Sequence, residues 1–200
     1  MSAVEVLQVD VLNNPGFFGD PFRFEITYEV REALQQDIEW KVIYVGCAKD
    51  ESLDQVLDEV LLPADTVGRF QFTLEVVAPN PDKIPIDDLL GITAVLITCS
   101  YRDQEFIRIG YYLNNEYEEA EMNENPPSPP ILESIRRHIF AEEPRVTHFL
   151  HSFDSNDSYL DENSSHSMVN SYSNLLDTVE ETQHSKLKHS DMQSSRMNMF

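Results

Sequence analysis

With 200 residues, the chain has room for one domain and a tail or for two small domains. Its formal net charge of −22, from 36 Asp and Glu against 14 Lys and Arg, argues against nucleic acid or an anionic membrane as a direct partner. A basic protein partner fits the charge, and so does solubility alone.

The apolar 41% is unevenly spread. All six glycines lie at or before Gly110 and all eleven prolines at or before Pro144, after which Ser dominates. This shift predicts a folded domain over residues 1–155. Residues 156–200 are expected to be a disordered, acidic, Ser-rich tail with too little apolar surface to offset the entropy of ordering. The N-terminus "MSAVEVLQVD" lacks the basic end and apolar run of a signal peptide, and no stretch approaches the roughly 20 apolar residues of a membrane span. A reducing compartment is expected, in which the sequons at Asn156 and Asn163 are chance.

In chain order, "VEVLQVDVL" alternates as a strand whose apolar phase slips between Val6 and Leu7, which predicts a bulge of the kind strands use to change sheets. "FRFEITYE" turns Phe22, Phe24, Ile26 and Tyr28 inward. "EWKVIYV" places Trp40, Val42 and Tyr44 on one face, and "GRFQFTLEV" does the same with Phe70, Phe72, Leu74 and Val76. The next strand, "GITAVLITCSYR", is unusual because both faces are apolar for half its length. If Val95 and Ile97 point into the core, Ile92, Ala94 and Leu96 point out. "QEFIRIGYYL" sets Arg108, Gly110 and Tyr112 against Ile107, Ile109 and Tyr111. Turn signals such as "NNPGFFGDP", "LPADTVG" and "APNPDKIP" separate these runs.

Further on, "NNEYEEAEMNENPPSPP" reads as an acidic, Pro-rich connection without regular structure. In "ILESIRRHIF", Ile131, Leu132, Ile135 and Ile139 share a helical face, and "PRVTHFLH" has room for one more strand. Short strands with this punctuation predict an all-β fold, a β-sandwich. A disulfide-bonded extracellular immunoglobulin domain does not fit, since its order is Cys, Trp, Cys and here Trp40 precedes both Cys47 and Cys99.

No catalytic motif emerges. GxSxG, the P-loop, GxGxxG and HExxH are all missing, and the tail histidines have no ligand-like spacing. Cys47 reads as a structural thiol, with nucleophile the minor reading. Neither an enzymatic activity, a cofactor nor a metal is expected. What remains is surface: Ile92, Ala94 and Leu96, with Val45 beside them and Asp54 and Asp88 at the rim, make an apolar patch with an acidic border, suited to a protein partner. The competing reading is that the 131–140 segment or the tail covers this strand as part of the core.

The blocks "RFEITYE", "IEWKVIYVG", "APNPDKIP", "VLITCSYRDQEFIRIGYYLNNEY", "ENPP" and "EPRVTHF" resemble the anti-silencing function family of histone chaperones, in order from Met1 to about His151. The resemblance implies an immunoglobulin-like β-sandwich that binds one histone H3–H4 dimer and covers its tetramerisation surface. It further implies a nuclear, non-enzymatic monomer in chromatin assembly and transcription regulation. The positions matching the H3-binding face are Val45, Ala48, Asp54, Asp88, Ile92, Ala94, Leu96, Arg108, Tyr111 and Tyr112. Pro144, Arg145 and Thr147 match those that receive the H4 C-terminal segment as an added strand. A second family site, for basic hairpins of downstream deposition chaperones, matches Asp37 and Glu39 with Tyr28, Val60, Leu62 and Phe72, in strands expected to differ from those of the histone face.

Departures from the family pattern are Ala94 where Val is usual, Ile92 where Val is usual, and Gln36 where an acid is common. They leave open a diverged chromatin adaptor that keeps the second groove with weakened histone binding. Tails of related proteins are targets of tousled-like kinases, which makes Ser158 a candidate phosphosite. Ser128, before Pro129, is a proline-directed candidate.

Overall fold

A computed structural model of the protein describes residues 2–154. Two antiparallel sheets face each other. The smaller has the order β1-β3-β6, from β1 (Val4–Val11), β3 (Phe22–Val30) and β6 (Gly68–Val76). The larger has the order β2-β9-β8-β7-β4-β5. It is built from β2 (Gly16–Phe17), β9 (Ile135–Ile139), β8 (Gln104–Tyr117), β7 (Gly91–Tyr101), β4 (Ile38–Tyr44) and β5 (Gln55–Leu62), with β10 (Arg145–His148) pairing β8 at its other end. Among the described residues strand is the dominant regular structure, as period-2 alternation predicts.

The alternation in β3 and β4 decides the core. Phe22, Phe24, Ile26 and Tyr28 of the small sheet are buried against the inner face of the large one, where Ile38, Trp40, Val42 and Tyr44 lie beside Val95, Ile97, Cys99, Ile107, Ile109 and Tyr111. Trp40 packs on Tyr28 and Phe72 with ring centroids 5.7 and 5.4 Å away. Both cysteines are free. Burial pushes the Cys99 thiol well above its usual pKa and that of Cys47 up as well, the environment of inert thiols.

In β1 the register shifts between Val6 and Gln8, so the predicted bulge is present at Leu7, which is 40% exposed. The strand nevertheless stays in one sheet, and the bulge ejects a leucine instead of changing partners.

Two expectations are corrected. The helix expected over 131–140 is a 3-10 turn, Leu132–Ser134, followed by β9. Ile135, Arg137 and Ile139 point in while Arg136 and His138 point out, a strand period disguised by an inward arginine. Arg137 is 1% exposed, lies 3.7 Å from the Phe22 ring centroid, and donates to the carbonyls of Asp20 and Pro21 at 2.8 and 3.1 Å. Burial pulls its pKa down to about 10, well above neutrality, so it remains a cation. The acidic connection is also more regular than expected. Asn114–Tyr117 complete β8, and a short helix α1 (Ala120–Glu124) follows. The edge strand β5 gave no clear sequence signal, since "QVLDEVLL" mixes exposed Val56 and Leu61 with half-buried Leu57, Val60 and Leu62.

The last described residues fold back over the β7–β8 turn. The Asp154 carboxylate accepts from the Tyr101 hydroxyl at 2.7 Å and the Gln35 backbone N–H at 2.8 Å, and pairs with Arg102 at 2.7 Å. Burial works against this carboxylate, but these partners outweigh it and hold its pKa below the usual range. Phe153 meets Phe106 edge to face and packs tilted against His151, with ring centroids 5.2 and 4.5 Å away.

Candidate functional site: the outer face of the large sheet

Because side chains alternate along a strand, the residues of β4, β7 and β8 that do not enter the core share the outer face of the large sheet. Ala94 lies across from Tyr112, and Leu96 from Gly110 on one side and Ile43 on the other. Val45, Ala94 and Leu96 form a small apolar cluster separate from the main core, with Ile43 and Tyr112 packed against it. The loop after β4 is fixed by Val45 N–H donating to the Ala94 carbonyl at 3.0 Å and by the Thr93 hydroxyl donating to the Val45 carbonyl at 2.7 Å. Gly46 follows because the turn at Glu51–Leu53 presses close: a Cβ there would collide with the Leu53 carbonyl oxygen.

This turn delivers Asp54 to the rim of the face. Its carboxylate accepts the Gly46 backbone N–H, but Oδ1 is buried without a hydrogen-bond partner among the described residues. Burial, with Glu51 and Asp50 nearby, pushes its pKa up to about 6, against smaller opposing pulls from the Gly46 N–H and Arg108. Asp88 comes in from the other side, where its carboxylate hydrogen-bonds Cys47. Arg108, Cα partner of Thr98, holds Glu105 through two contacts of 2.7 Å and lies 5.6 Å from the Phe149 ring centroid. A fixed guanidinium thus borders an acidic, apolar surface.

The sequence-predicted residues therefore mostly converge. Val45, Ala48, Asp54, Asp88, Ile92, Ala94, Leu96, Arg108 and Tyr112 belong to this face or its rim. Tyr111 does not: it points between the sheets, 2% exposed, stacked on Phe24 at 6.3 Å. The face is also more buried than a bare patch, with Val45, Ala94 and Leu96 at 3%, 1% and 1% exposure. Ile43 is a member that sequence reasoning missed, although its place on the polar side of "EWKVIYV" marked it.

Pro144 precedes β10 and is exposed, as is Arg145, and Thr147 is half-buried. Among the described residues β10 pairs only with β8, which leaves one edge of its backbone for an added strand.

The second set gathers elsewhere. Edge strands β5 and β6 leave a mouth between the sheets, where Val60, Leu62 and Phe72 are half-buried against Tyr28. Phe70, 5.5 Å from Tyr28, also lines it and was not predicted. Asp37 is exposed, and Glu39 is held by Lys41 at 2.7 Å. Here one expectation fails. Glu39 lies on β4, the strand that runs on into Val45, so the two sets share a strand. They are separated along it by about 20 Å at the usual rise. Ser128 is exposed in the connection, whereas Ser158 lies outside the described residues.

Comparison with known proteins agrees on one lineage. A model of the family described as ASF1-like histone chaperone matches residues 1–154. The chain is 53% identical over 156 residues to the mouse histone chaperone ASF1B, covering 78% of this chain and 77% of the mouse protein. It is 48% identical over 149 residues to ASF1B of Arabidopsis thaliana, covering 74% and 68%. To the histone chaperone asf-1 of Neurospora crassa it is 49% identical over 155 residues, covering 78% and 57%.

Proposed function

The chain belongs to the ASF1-like histone chaperone family, and from that premise we propose that it holds one H3–H4 dimer on the outer face of β4, β7 and β8. Its work is binding and hand-off in nucleosome assembly and disassembly in the nucleus, without catalysis. The carrying observation is the separate Val45–Ala94–Leu96 cluster on a sheet face away from the main core. A sheet needs one apolar face to pack; a second, bordered by Asp54, Asp88 and Arg108, suits a basic helical partner. On this reading H3 buries a helix over Ala94 and Leu96 and so blocks its own tetramerisation surface. The H4 C-terminal segment adds to the β10 edge at Pro144, Arg145 and Thr147.

Asp54 makes this reading testable through pH. With its pKa raised to about 6, the carboxyl is roughly half protonated at pH 6. A histone Lys or Arg brought beside it favours the ionised form, so complex formation near pH 6 releases up to about half a proton, and affinity weakens as pH falls below 6. In the free protein the sign is opposite. The cost of burying the charge is present above pH 6 and is relieved as pH falls through that value. Calorimetric titration with the H3–H4 dimer in buffers of different ionisation heat reads the release, and Asp54→Asn removes it. A heat independent of buffer in the unsubstituted protein contradicts the assignment of Asp54.

The β5–β6 mouth, with Asp37 and Glu39 beside it, is proposed as the docking site for basic hairpins of downstream chaperones. Asp37→Lys with Glu39→Lys is expected to abolish binding of such a peptide and leave histone affinity within about twofold, since both changes lie at the start of β4, the opposite end from Val45. Equal loss of both would mean that the two surfaces are not independent.

A further inference from the structure

The apolar surface of the outer face does not end at Ile43. Ala94 and Leu96 are each 1% exposed, so little of their area is left for a partner to cover. The next residue in the same row is Val56 on β5, the Cα partner of Ile43, which is itself the partner of Leu96. Residues directly opposite one another share a face of the sheet, and Val56 keeps 57% of its surface in water. Open apolar area beside the cluster therefore lies at its β5 end.

Val56 also lines an open cleft of about 610 Å³ between the turns Glu51–Leu53 and Pro81–Lys83. Clefts of about 300–1,000 Å³ take a whole ligand, so a short stretch of peptide fits here. Leu53, Ile84 and Pro85 add to the apolar lining, and Asp54 and Asp82 face one cation, Lys83, among the lining residues. The two walls are clipped together. The Gln55 side-chain amide donates to the Asn80 carbonyl at 3.0 Å and accepts the Asn80 N–H at 2.8 Å, as a neighbouring strand would. Asn80 caps its turn by accepting the Asp82 N–H at 2.9 Å, and Asp50 caps the other by accepting the Ser52 N–H at 3.0 Å. The cleft is thus shaped without a partner, which spares the cost of ordering it on binding. One of its acids is also short of a donor: Asp54 Oδ1 is buried without a hydrogen-bond partner among the described residues.

We propose that this cleft is a second subsite for the histone dimer, seating an extended lysine- or arginine-bearing segment that flanks the helix on Ala94 and Leu96. As a histone subsite it rests on the reading above; as a site for a basic peptide it stands on the cleft alone. The methylene stem of a Lys or Arg packs on Leu53, Val56 and Ile84 while its cation reaches Asp54 and Asp82. An acidic segment is repelled by both carboxylates, and a purely apolar one leaves them unpaired. Lys83 opposes the occupant's charge and so limits affinity. Leu96 and Val56 are two strand spacings apart, about 10 Å, which about three residues of extended chain span. One partner segment crossing Ile43 therefore occupies both subsites.

The test titrates the full chain with the H3–H4 dimer and compares Asp82→Lys, Lys83→Glu and Val56→Ser with Glu59→Lys, the same charge reversal on β5 outside the cleft. All four positions are exposed, so the sandwich core is untouched. Asp82→Lys is expected to weaken binding about 5- to 10-fold and Val56→Ser about 3-fold, while Lys83→Glu tightens it about 3-fold and Glu59→Lys stays within twofold. A short lysine-rich peptide added to the histone-free protein is expected to shift the methyl resonances of Val56 and Ile84 and leave core Ile97 in place. Equal effects of Asp82→Lys and Glu59→Lys overturn the proposal, since they would reflect the general field of the protein, and so does an unchanged affinity in Val56→Ser. If no chain binds the dimer but the peptide shifts Val56 and Ile84, and fails to in Asp82→Lys, the cleft holds and the histone reading falls. If all chains bind the dimer alike and the peptide moves neither methyl, the histone reading holds and the cleft falls.

Discussion

Placing a carboxylate at the centre of the outer face, by Ala94→Glu, is expected to lower affinity for the H3–H4 dimer at least hundredfold while the sandwich remains folded. Ala94 is 1% exposed, sits opposite Tyr112, and belongs to the small Val45–Leu96 cluster instead of the main core. The substitution leaves Trp40 and its neighbours untouched, but it puts a charge where a partner helix has to exclude water. Burying an unpaired carboxylate costs several kcal/mol, and about 2.7 kcal/mol already corresponds to a hundredfold. The opposite change is instructive. Ala94→Val adds two methyl groups of burial, about 1–1.5 kcal/mol, and should raise affinity by up to roughly tenfold. Titration of the three proteins with the dimer, alongside thermal melts, checks both. Unchanged affinity across the series would mean that position 94 lies outside the interface, and the adaptor reading would gain.

The largest expected effect on stability lies inside the sandwich, at Arg137 on β9. Arg137→Ala should destabilise the domain by about 3–5 kcal/mol, the cost of two charge-assisted hydrogen bonds and of the packing on Phe22. The carbonyls of Asp20 and Pro21 would be left without these donors, and the chain entering β3 would lose its anchor to β9. Arg137→Lys should recover less than half, because an ammonium on a single stem does not present the planar fork that meets both carbonyls. Urea denaturation with an unchanged slope reads the loss directly. A loss below 1 kcal/mol for the alanine variant would show that the buried guanidinium is dispensable.

The same residue explains a failure of sequence reading. Ile135, Arg137 and Ile139 alternate as a strand, but an arginine counted as polar breaks the alternation, and Ile131, Leu132, Ile135 and Ile139 then mimic a helical stripe. Where inward residues are all apolar, as in "FRFEITYE", period and structure agree over the whole strand. Strand β5 was illegible for another reason: at an edge, exposed and half-buried apolar residues carry little contrast.

The candidate face was legible in outline because β7 has no polar side, a pattern that composition alone makes conspicuous in so acidic a chain. The face on which each residue lies was legible only through parity. Ile43 follows from the parity of β4, and Tyr111 from that of β8, although matching by position alone had grouped Tyr111 with Tyr112. The raised pKa of Asp54 was invisible in sequence, since it depends on a turn folding back over Gly46.

The measurement that bears most directly on the central claim is titration of the full chain with a reconstituted H3–H4 dimer at moderate salt, reading affinity and complex mass together. The account predicts a complex of one chain with one dimer that persists as salt rises, because apolar burial at Val45, Ala94 and Leu96 is not screened. A complex containing the H3–H4 tetramer, or binding that fades with salt as a purely electrostatic contact does, would contradict it.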